Sequence, residues 1–358
     1  MGWSIDIFPP QVDLETKKIL KALPSAHRVL AELKGVAQTI PNQTILLNTL
    51  PIQEAKDSSA IENIITTHDE IFKSSLKFEN FKSFEAKEIQ NYARALKKGF
   101  SQISKKVLTN NDIISIQKEL EGNNAGFRKV PGTSLKNPVT QEIIYTPPQD
   151  FDSITLLMSK LEGFINDDTN SDLDPIVKMA IIHFQFESIH PFYDGNGRTG
   201  RIINILYLAL SGLLELPILY LSRYIIENKT KYYQLLQQVR DANDWEPWIF
   251  FMIQAVEQTS RQTIHQIVKI REVMMEYKQK IRAEYKFYSQ DLLNNLFKHP
   301  YTKIEFLVQD LKISRITAAN YLNQLARDGF LDKQKLGPGN YYINVPLFNL
   351  LINPDKVT

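Results

Sequence analysis

HPFYDGNGRTGR, residues 190–201, places a histidine, an aspartate, an asparagine, three glycines and two arginines within twelve positions. Gly195 to Gly200 spells G-x-G-x-x-G, which in a dinucleotide fold needs a strand before it and a helix after it. The preceding segment, 174–189, instead has helical apolar spacing. It opens with Asp174-Pro175, a capping residue followed by a proline suited to the first turn. No Lys-Ser/Thr pair follows the glycines, so the loop is not a Walker loop either. His190 precedes Pro191, and a residue before proline is pushed out of helical geometry. The spacing therefore predicts helix, loop, helix. The first helix ends near His190, and the second starts near Arg198 or Thr199 and runs to 214.

Such a loop has a chemistry. Backbone N–H groups at a helix start lack partners, and the helix dipole adds positive charge there. Glycines let an anion come close to the backbone. Arg198 and Arg201 stand three apart and can each grip a phosphate, the anion expected at such a site. Asp194 can hold a Mg²⁺ that rides on the phosphates. His190, on the other side of the loop, suits proton transfer. Each residue alone has a plainer reading: a tight turn, a capping histidine, arginines paired with carboxylates. Their concentration in twelve positions favours phosphate chemistry.

Outward from the loop, the chain reads as mainly α. Helical spacing covers 13–36 with a break at Pro24, then 52–75, 84–107, and 111–121 with Asn111 and Asp112 as caps. It resumes at 151–166, 229–241 and 245–285. Between 122 and 148, extended pieces around 133–136 and 142–146 flank a turn at Asn137–Thr140, a β-hairpin pattern ending in Pro147-Pro148. The last 70 residues read helix, tight turn, helix, then a hairpin around Gly337-Pro338-Gly339. That is a winged helix-turn-helix layout with a boundary near 286. The expected regions are 1–100, 101–285 and 286–358.

The 358 residues suggest two or three domains, with 43% hydrophobic and 23% charged content. A net charge of +2 implies no broad attraction to nucleic acid or membrane. There are no cysteines, which excludes disulfide and thiolate chemistry. MGWSIDIFPP lacks a signal-peptide pattern, and Asp6 breaks the myristoylation pattern. The longest apolar run, 205–221, is interrupted by Glu215 and Pro217 and is shorter than a membrane span needs. The expectation is a cytoplasmic protein without membrane contact.

The quoted stretch resembles the Fic-domain signature HPFx(D/E)GNGRxxR and matches it at every position from His190 to Arg201. The resemblance extends over roughly 100–270 and implies a Fic-type helical core with a β-hairpin flap. It also implies a nucleotidyl transferase that moves AMP from ATP to a Ser, Thr or Tyr hydroxyl of a target protein. By that resemblance His190 is the general base and Asp194 holds Mg²⁺. Asn196 holds an α-phosphate oxygen, and the amides of Gly195 and Gly197 cradle the anion. Arg198 and Arg201 reach the outer phosphates, with Thr199 and Gly200 in the same nucleotide-binding loop. EIIYTPP resembles the flap, which pairs with an extended target segment by strand addition through Ile143, Ile144 and Tyr145. Tyr233 falls where the family places an aromatic near adenosine; a packed helical aromatic is the equal alternative.

SSAIEN, residues 58–63, resembles the family's inhibitory motif (S/T)xxxE(G/N). Ser58 and Glu62 share a helix face, and Asn63 completes the motif. Glu62 would pair with Arg201 and turn the γ-phosphate of ATP away, since carboxylate and phosphate compete for one guanidinium. In some relatives the same glutamate assists AMP removal. Two rival readings remain open: Fic-type transfer of another phosphate-containing group, and a nucleotide-sensing DNA-binding transcriptional regulator. An intact His190 weighs against the second, because sensing needs no base.

His183, Glu187 and His190 stand at helical spacing, but the pattern is not H-E-x-x-H, and His183 reads as a core histidine. WEPWIFFMI, 245–253, reads as core. Near the C-terminus, Ser314 caps a helix bearing Arg315, Thr317, Asn320 and Asn323, which can reach phosphates or base edges. Residues 286–358 carry nine Lys/Arg against six Asp/Glu, a mild surplus, so DNA and protein partners stand about even. The partners considered are thus an unidentified target protein, DNA or protein at the C-terminal module, and a second copy, since some relatives form dimers.

Overall fold

The computed structural model describes residues 3–75, 83–103, 106–136, 140–167, 172–336 and 339–352. In chain order the elements begin with α1 (Lys17–Ala37), α2 (Thr44–Ile61), α3 (His68–Ser75), α4 (Phe84–Gln102) and α5 (Asn110–Glu121). Next come β1 (Leu135–Lys136), β2 (Ile143–Tyr145), α6 (Phe151–Asn166), α7 (Pro175–Ile189) and α8 (Asn196–Leu210). They continue with α9 (Ser222–Glu227), α10 (Lys229–Ala242), α11 (Glu246–Glu284), α12 (Gln290–Lys298) and β3 (Tyr301–Thr302). The last are α13 (Ile304–Leu311), α14 (Arg315–Arg327), β4 (Asp332–Leu336), β5 (Gly339–Ile343) and α15 (Val345–Ile352).

Helices α7 and α8 form the centre. Asp174 caps α7 by accepting the Ile176 N–H at 2.8 Å, and Pro175 occupies the first turn. Helix α7 is apolar on nearly every face, α8 is polar in its first turns and apolar beyond them, and almost all residues of both are buried. Gly99 of α4 lets three helices meet closely: a Cβ there would stand 2.6 Å from Leu206 and 2.8 Å from Ile116. WEPWIFFMI packs as core, with Trp245 and Trp248 at 2% and 0% exposure. His183 is likewise core, bonded to the Tyr232 hydroxyl at 2.8 Å and stacked on Trp248.

Several boundaries differ from expectation. Helix α1 starts at Lys17 and runs unbroken through Pro24, because its buried face of Ile19, Leu23, Ala26, Leu30 and Leu33 packs along α11. The pattern at 52–75 is two helices: α2 ends at Ile61 and α3 begins at His68. Asn63 adopts φ 63°, a left-handed conformation that stops a helix and that asparagine tolerates better than most residues. The cap of α5 is Thr109, not Asn111, in a reciprocal capping box with Asp112. Helix α8 begins at Asn196, two to three residues early, because Gly195 at φ 76° turns the chain directly into it. Helix α9 was not anticipated.

Strands β1 and β2 pair antiparallel, Leu135 with Tyr145 and Lys136 with Ile143. Of the expected turn Asn137–Thr140, residues 137–139 lie outside the described residues, as do 337 and 338 in the C-terminal hairpin. The helix-turn-helix expected near the C-terminus stands as α13 and α14, with Ser314 accepting the Thr317 N–H at 3.1 Å. The hairpin stands as β4 and β5, and β3 adds to its other edge in the order β3-β5-β4. Arg315 pairs with Glu305 at 2.6 Å. The Asn323 side chain takes bonds from Lys333 and Tyr342, so it faces the hairpin.

Candidate active site

The loop between α7 and α8 is held in shape from several sides. His190 closes α7 in a left-handed conformation, φ 50° and ψ 58°, which costs a non-glycine residue about 1–2 kcal/mol. Strain of this kind gathers where structure around it serves function. Asn196 pairs reciprocally with the Phe192 main chain, at 2.8 Å to both its N–H and its carbonyl. The amide expected to hold an α-phosphate oxygen therefore staples the loop. Arg128, fully buried, donates from Nε to the His190 carbonyl at 2.9 Å, and its own N–H bonds the Pro191 carbonyl.

The His190 ring is largely shielded. Burial pushes its imidazole down to about 4, opposed by the Glu187 carbonyl close to it. Nδ1 is buried without a well-formed hydrogen bond among the described residues. At neutral pH the ring is an uncharged base, with Nε2 left to take a proton.

Both arginines of the loop are held by carboxylates. Arg201, 1% exposed, donates to the Ser58 hydroxyl at 2.8 Å, the Ser58 carbonyl at 2.9 Å and Glu62 Oε1 at 2.8 Å. Ser58 sits in the last turn of α2, and Glu62 is the residue that ends it. Asn63 supplies the left-handed exit, and its side chain accepts from Lys229 at 3.3 Å. Burial pushes the Glu62 carboxyl up, but the charge and hydrogen bond of Arg201 outweigh it and hold the group below its ordinary range. Arg198, 4% exposed, is gripped twice, by Glu88 and by Glu121, each at 2.7 Å. Burial pushes Glu121 up to about 7 against the pull of Arg198.

The glycines divide by role. A Cβ at Gly197 would meet Glu62 Oε1 at 2.4 Å and Arg201 Nη1 at 2.9 Å, so only glycine lets that ion pair lie against the first turn of α8. At Gly195 it would meet Glu121 Oε1 at 2.3 Å. The Gly195 amide, expected in the anion cradle, donates to Asp194 Oδ1 at 2.7 Å. Gly200 and Thr199, expected in the nucleotide-binding loop, face the packed interior instead. Gly200 packs on Glu187 and Phe186 of α7, Thr199 is fully buried, and the Thr199 amide is spent on the Gly195 carbonyl at 2.9 Å.

A cleft of about 430 Å³ opens beside this turn, lined by Glu62, Glu88, Glu121, His190, Asp194 and Arg198 among others. Asp194 is exposed at its mouth. One carboxylate is a fitting donor set for Mg²⁺, which keeps waters and takes its remaining ligands from substrate phosphates. Tyr233 is half-exposed on α10, edge-on to Tyr232 at 5.1 Å. Burial, then the Glu62 charge, raises its phenol. On the hairpin, Ile143 and Ile144 are 61% and 44% exposed. Tyr145 instead turns inward: its hydroxyl donates to the Ser188 carbonyl at 3.0 Å, and Arg240 lies 4.2 Å over its ring. It anchors the strand that presents the two isoleucines.

Glu88, Glu121 and Arg128 were not foreseen, because their partners lie on other elements and no local spacing marks them; Glu187 was noted only for its spacing from His183 and His190. Glu187 is buried with Oε1 unpartnered, and burial holds it up near 7 despite Arg201.

Three family models match the chain: Fic/DOC family N-terminal over residues 20–101, Fic/DOC family over 107–208, and the C-terminal domain of protein adenylyltransferase SoFic-like over 273–347. Among curated proteins, the protein adenylyltransferase Fic of Drosophila ananassae is 26% identical over 159 residues, 44% of this chain and 30% of that protein. That of Culex quinquefasciatus is 32% identical over 115 residues, 32% of this chain and 21% of that protein. The match thus spans less than a third of these relatives. A Fic family protein from Desulfovibrio desulfuricans G20 shares the fold at TM-score 0.60 and 21% identity, covering 94% of this chain and 97% of its own. Fic-1 of C. elegans does so at TM-score 0.51 and 21% identity, covering 68% of this chain and 71% of its own.

Proposed function

The chain carries the N-terminal and central domains of the Fic/DOC family and a SoFic-like C-terminal domain, and on that premise we propose that it is a protein adenylyltransferase held in an inhibited state by Glu62. The carrying observation is that a neutral, shielded His190 lines the same cleft as Glu62, the carboxylate that binds the buried Arg201 behind it. His190 Nε2 takes the proton of a target Ser, Thr or Tyr hydroxyl. The freed oxygen forms a bond to the α-phosphorus of ATP, the bond from that phosphorus to the bridging oxygen breaks, and pyrophosphate leaves. Arg201 binds an outer phosphate once Glu62 has released it, so the carboxylate and the triphosphate exclude each other. Asp194 would hold Mg²⁺, which neutralises charge on the phosphates. The chain's own contribution is positioning and charge complementarity, as phosphoryl-type transfer requires. Strand β2 pairs only with β1 among the described residues. Its other edge, beside exposed Ile143 and Ile144, suits an extended target segment.

The test uses ATP labelled at the α- or the γ-phosphate with wild type, Glu62→Gly and Glu62→Gly/His190→Ala in Mg²⁺. Label from the α position only, strongest in Glu62→Gly and lost in the double variant, is the expected result. Label from the γ position would instead show phosphorylation and overturn AMP transfer.

A further inference from the structure

Glu62 lies on a short connection between two helices, α2 and α3, that are both fastened to the C-terminal module. On the α2 side, Gln53 donates to the Leu351 carbonyl of α15. The Gln53 side-chain Oε1 also takes a bond from His68 Nε2 at 2.9 Å, at the start of α3. His68 is buried, which keeps its ring neutral. On the α3 side, the Tyr301 hydroxyl of β3 donates to Asp69 at 2.5 Å. The Phe72 ring stacks on Tyr301 at 5.9 Å and 14°, and Phe348 of α15 closes the group against both rings. Phe72 and Tyr301 are 3% and 4% exposed. Helix α15 is itself tied to the core through Gln266, which donates to the Leu350 carbonyl at 3.2 Å. The connection from Glu62 to Thr67 thus spans two anchor points that share one wall, built from β3 and α15.

We infer that the C-terminal module clamps the inhibitory segment, setting how firmly Glu62 engages Arg201 and so how much the core transfers. This rests on the reading of Glu62 as inhibitor. The physical route is direct. The amides of Glu62, Asn63 and Ile64 are bonded to the carbonyls of Ser59 and Ala60 at 3.0 Å, so the connection holds its shape only while the end of α2 does. Removing rings from the β3–α15 wall frees α3 at the far end of the connection, which no longer holds the connection against the end of α2, and local fraying of this kind has a low free-energy cost. A two-state element that both the module and the active site bias is what coupling between distant sites requires.

The test uses the full chain with Tyr301→Ala, Phe348→Ala and the milder Tyr301→Phe, each alone and combined with Glu62→Gly. Two quantities are read: label from α-labelled ATP, and hydrogen exchange at the amides of residues 62–64. The two alanine variants are expected to speed that exchange and to raise label roughly fivefold or more, the lower end of typical coupling. Tyr301→Phe should do both to a smaller extent, and none of the three should add label over Glu62→Gly. Unchanged exchange at 62–64 overturns the clamp. So does faster exchange without added label while Glu62→Gly is active, or an equal gain of label in the Glu62→Gly background. If Glu62→Gly itself takes no α label, the transferase reading has failed. Exchange at 62–64 then still judges the clamp.

Discussion

Replacing Glu62 by Gln keeps the side chain's shape and removes the charge that competes with phosphate. In the resting structure Arg201 spends one of its three side-chain bonds on Glu62 and two on Ser58. Only the Glu62 bond joins two opposite charges, and bonds of this kind net about 1.5–3 kcal/mol when shielded. Glu62 is 36% exposed while Arg201 is 1% exposed, and exposure screens the pair toward about 1–2 kcal/mol. That corresponds to roughly 5–30-fold in an equilibrium. Glu62→Gln should therefore bind ATP about 5–30-fold more tightly than wild type. AMP, which has no outer phosphates to reach Arg201, should bind both forms with similar affinity. Calorimetric titration of both nucleotides into both proteins, in Mg²⁺, reads the difference. An equal gain for AMP would show that Glu62 blocks the adenosine side or the whole cleft. No gain for ATP would show that Glu62 and phosphate do not compete for Arg201. Ser58→Ala supplies an internal check: it removes a bond that orients Arg201 without changing charge, so it should not reproduce the gain.

Burial holds His190 near 4, so the base form is lost only as pH falls through about 4, and the acid limb of kcat/KM in Glu62→Gly should lie no higher than that. Removing Glu62, whose charge favours the imidazolium, moves the limb lower still; a limb near the ordinary histidine value of about 6.5 would contradict a shielded base. Gly200→Ala forces a Cβ within 2.8 Å of Glu187 and 3.0 Å of Phe186 and should cost about 1–3 kcal/mol in urea unfolding, with no loss indicating that α7 and α8 can separate. Glu88→Gln/Glu121→Gln leaves Arg198 buried without its counter-charges. It should lose about 3–5 kcal/mol of stability, partly restored by tripolyphosphate in a thermal melt; no response to the anion would mean that Arg198 does not face the phosphate path. Glu187→Gln removes a carboxyl that burial raises from 4.5 to about 7. The folded state holds its proton up to about 7 while the unfolded chain loses it from about 4.5, so wild-type stability falls between those pH values and stays low above 7; the variant should melt higher than wild type at pH 8.5 and lose most of that advantage by pH 5.

The arrangement explains why the loop tolerates so little change. Gly197 leaves room for an ion pair, Gly200 for a helix contact, and Asn196 closes the turn on itself. A loop whose side chains are committed to its own shape can present backbone and two arginines without reorganising when a ligand arrives. Carboxylates bind both arginines in this structure, and on the proposed reading Glu62 must give way before an outer phosphate can reach Arg201.

What the sequence alone determined was local and periodic. Asp174-Pro175 and His190-Pro191 delimit α7 within a residue, because capping and the steric effect of proline act on adjacent residues. The hairpin, the α13–α14 turn and the buried 245–253 segment follow from alternation and helical period in the same way. The pairing of Glu62 with Arg201 was legible only because two motifs named both ends of it. Where tertiary packing competes with a local rule, the local rule lost: α1 continues through Pro24 against α11, and 52–75 divides at Asn63. Only the tertiary structure decided which charges meet. Glu88 and Glu121 reach Arg198 from helices 110 and 77 positions away, and the β3–α15 wall reaches α3 across more than 200 residues. Ion pairs and ring stacks depend on distance in space, and a chain that folds back on itself sets those distances without leaving a mark in the spacing of its residues.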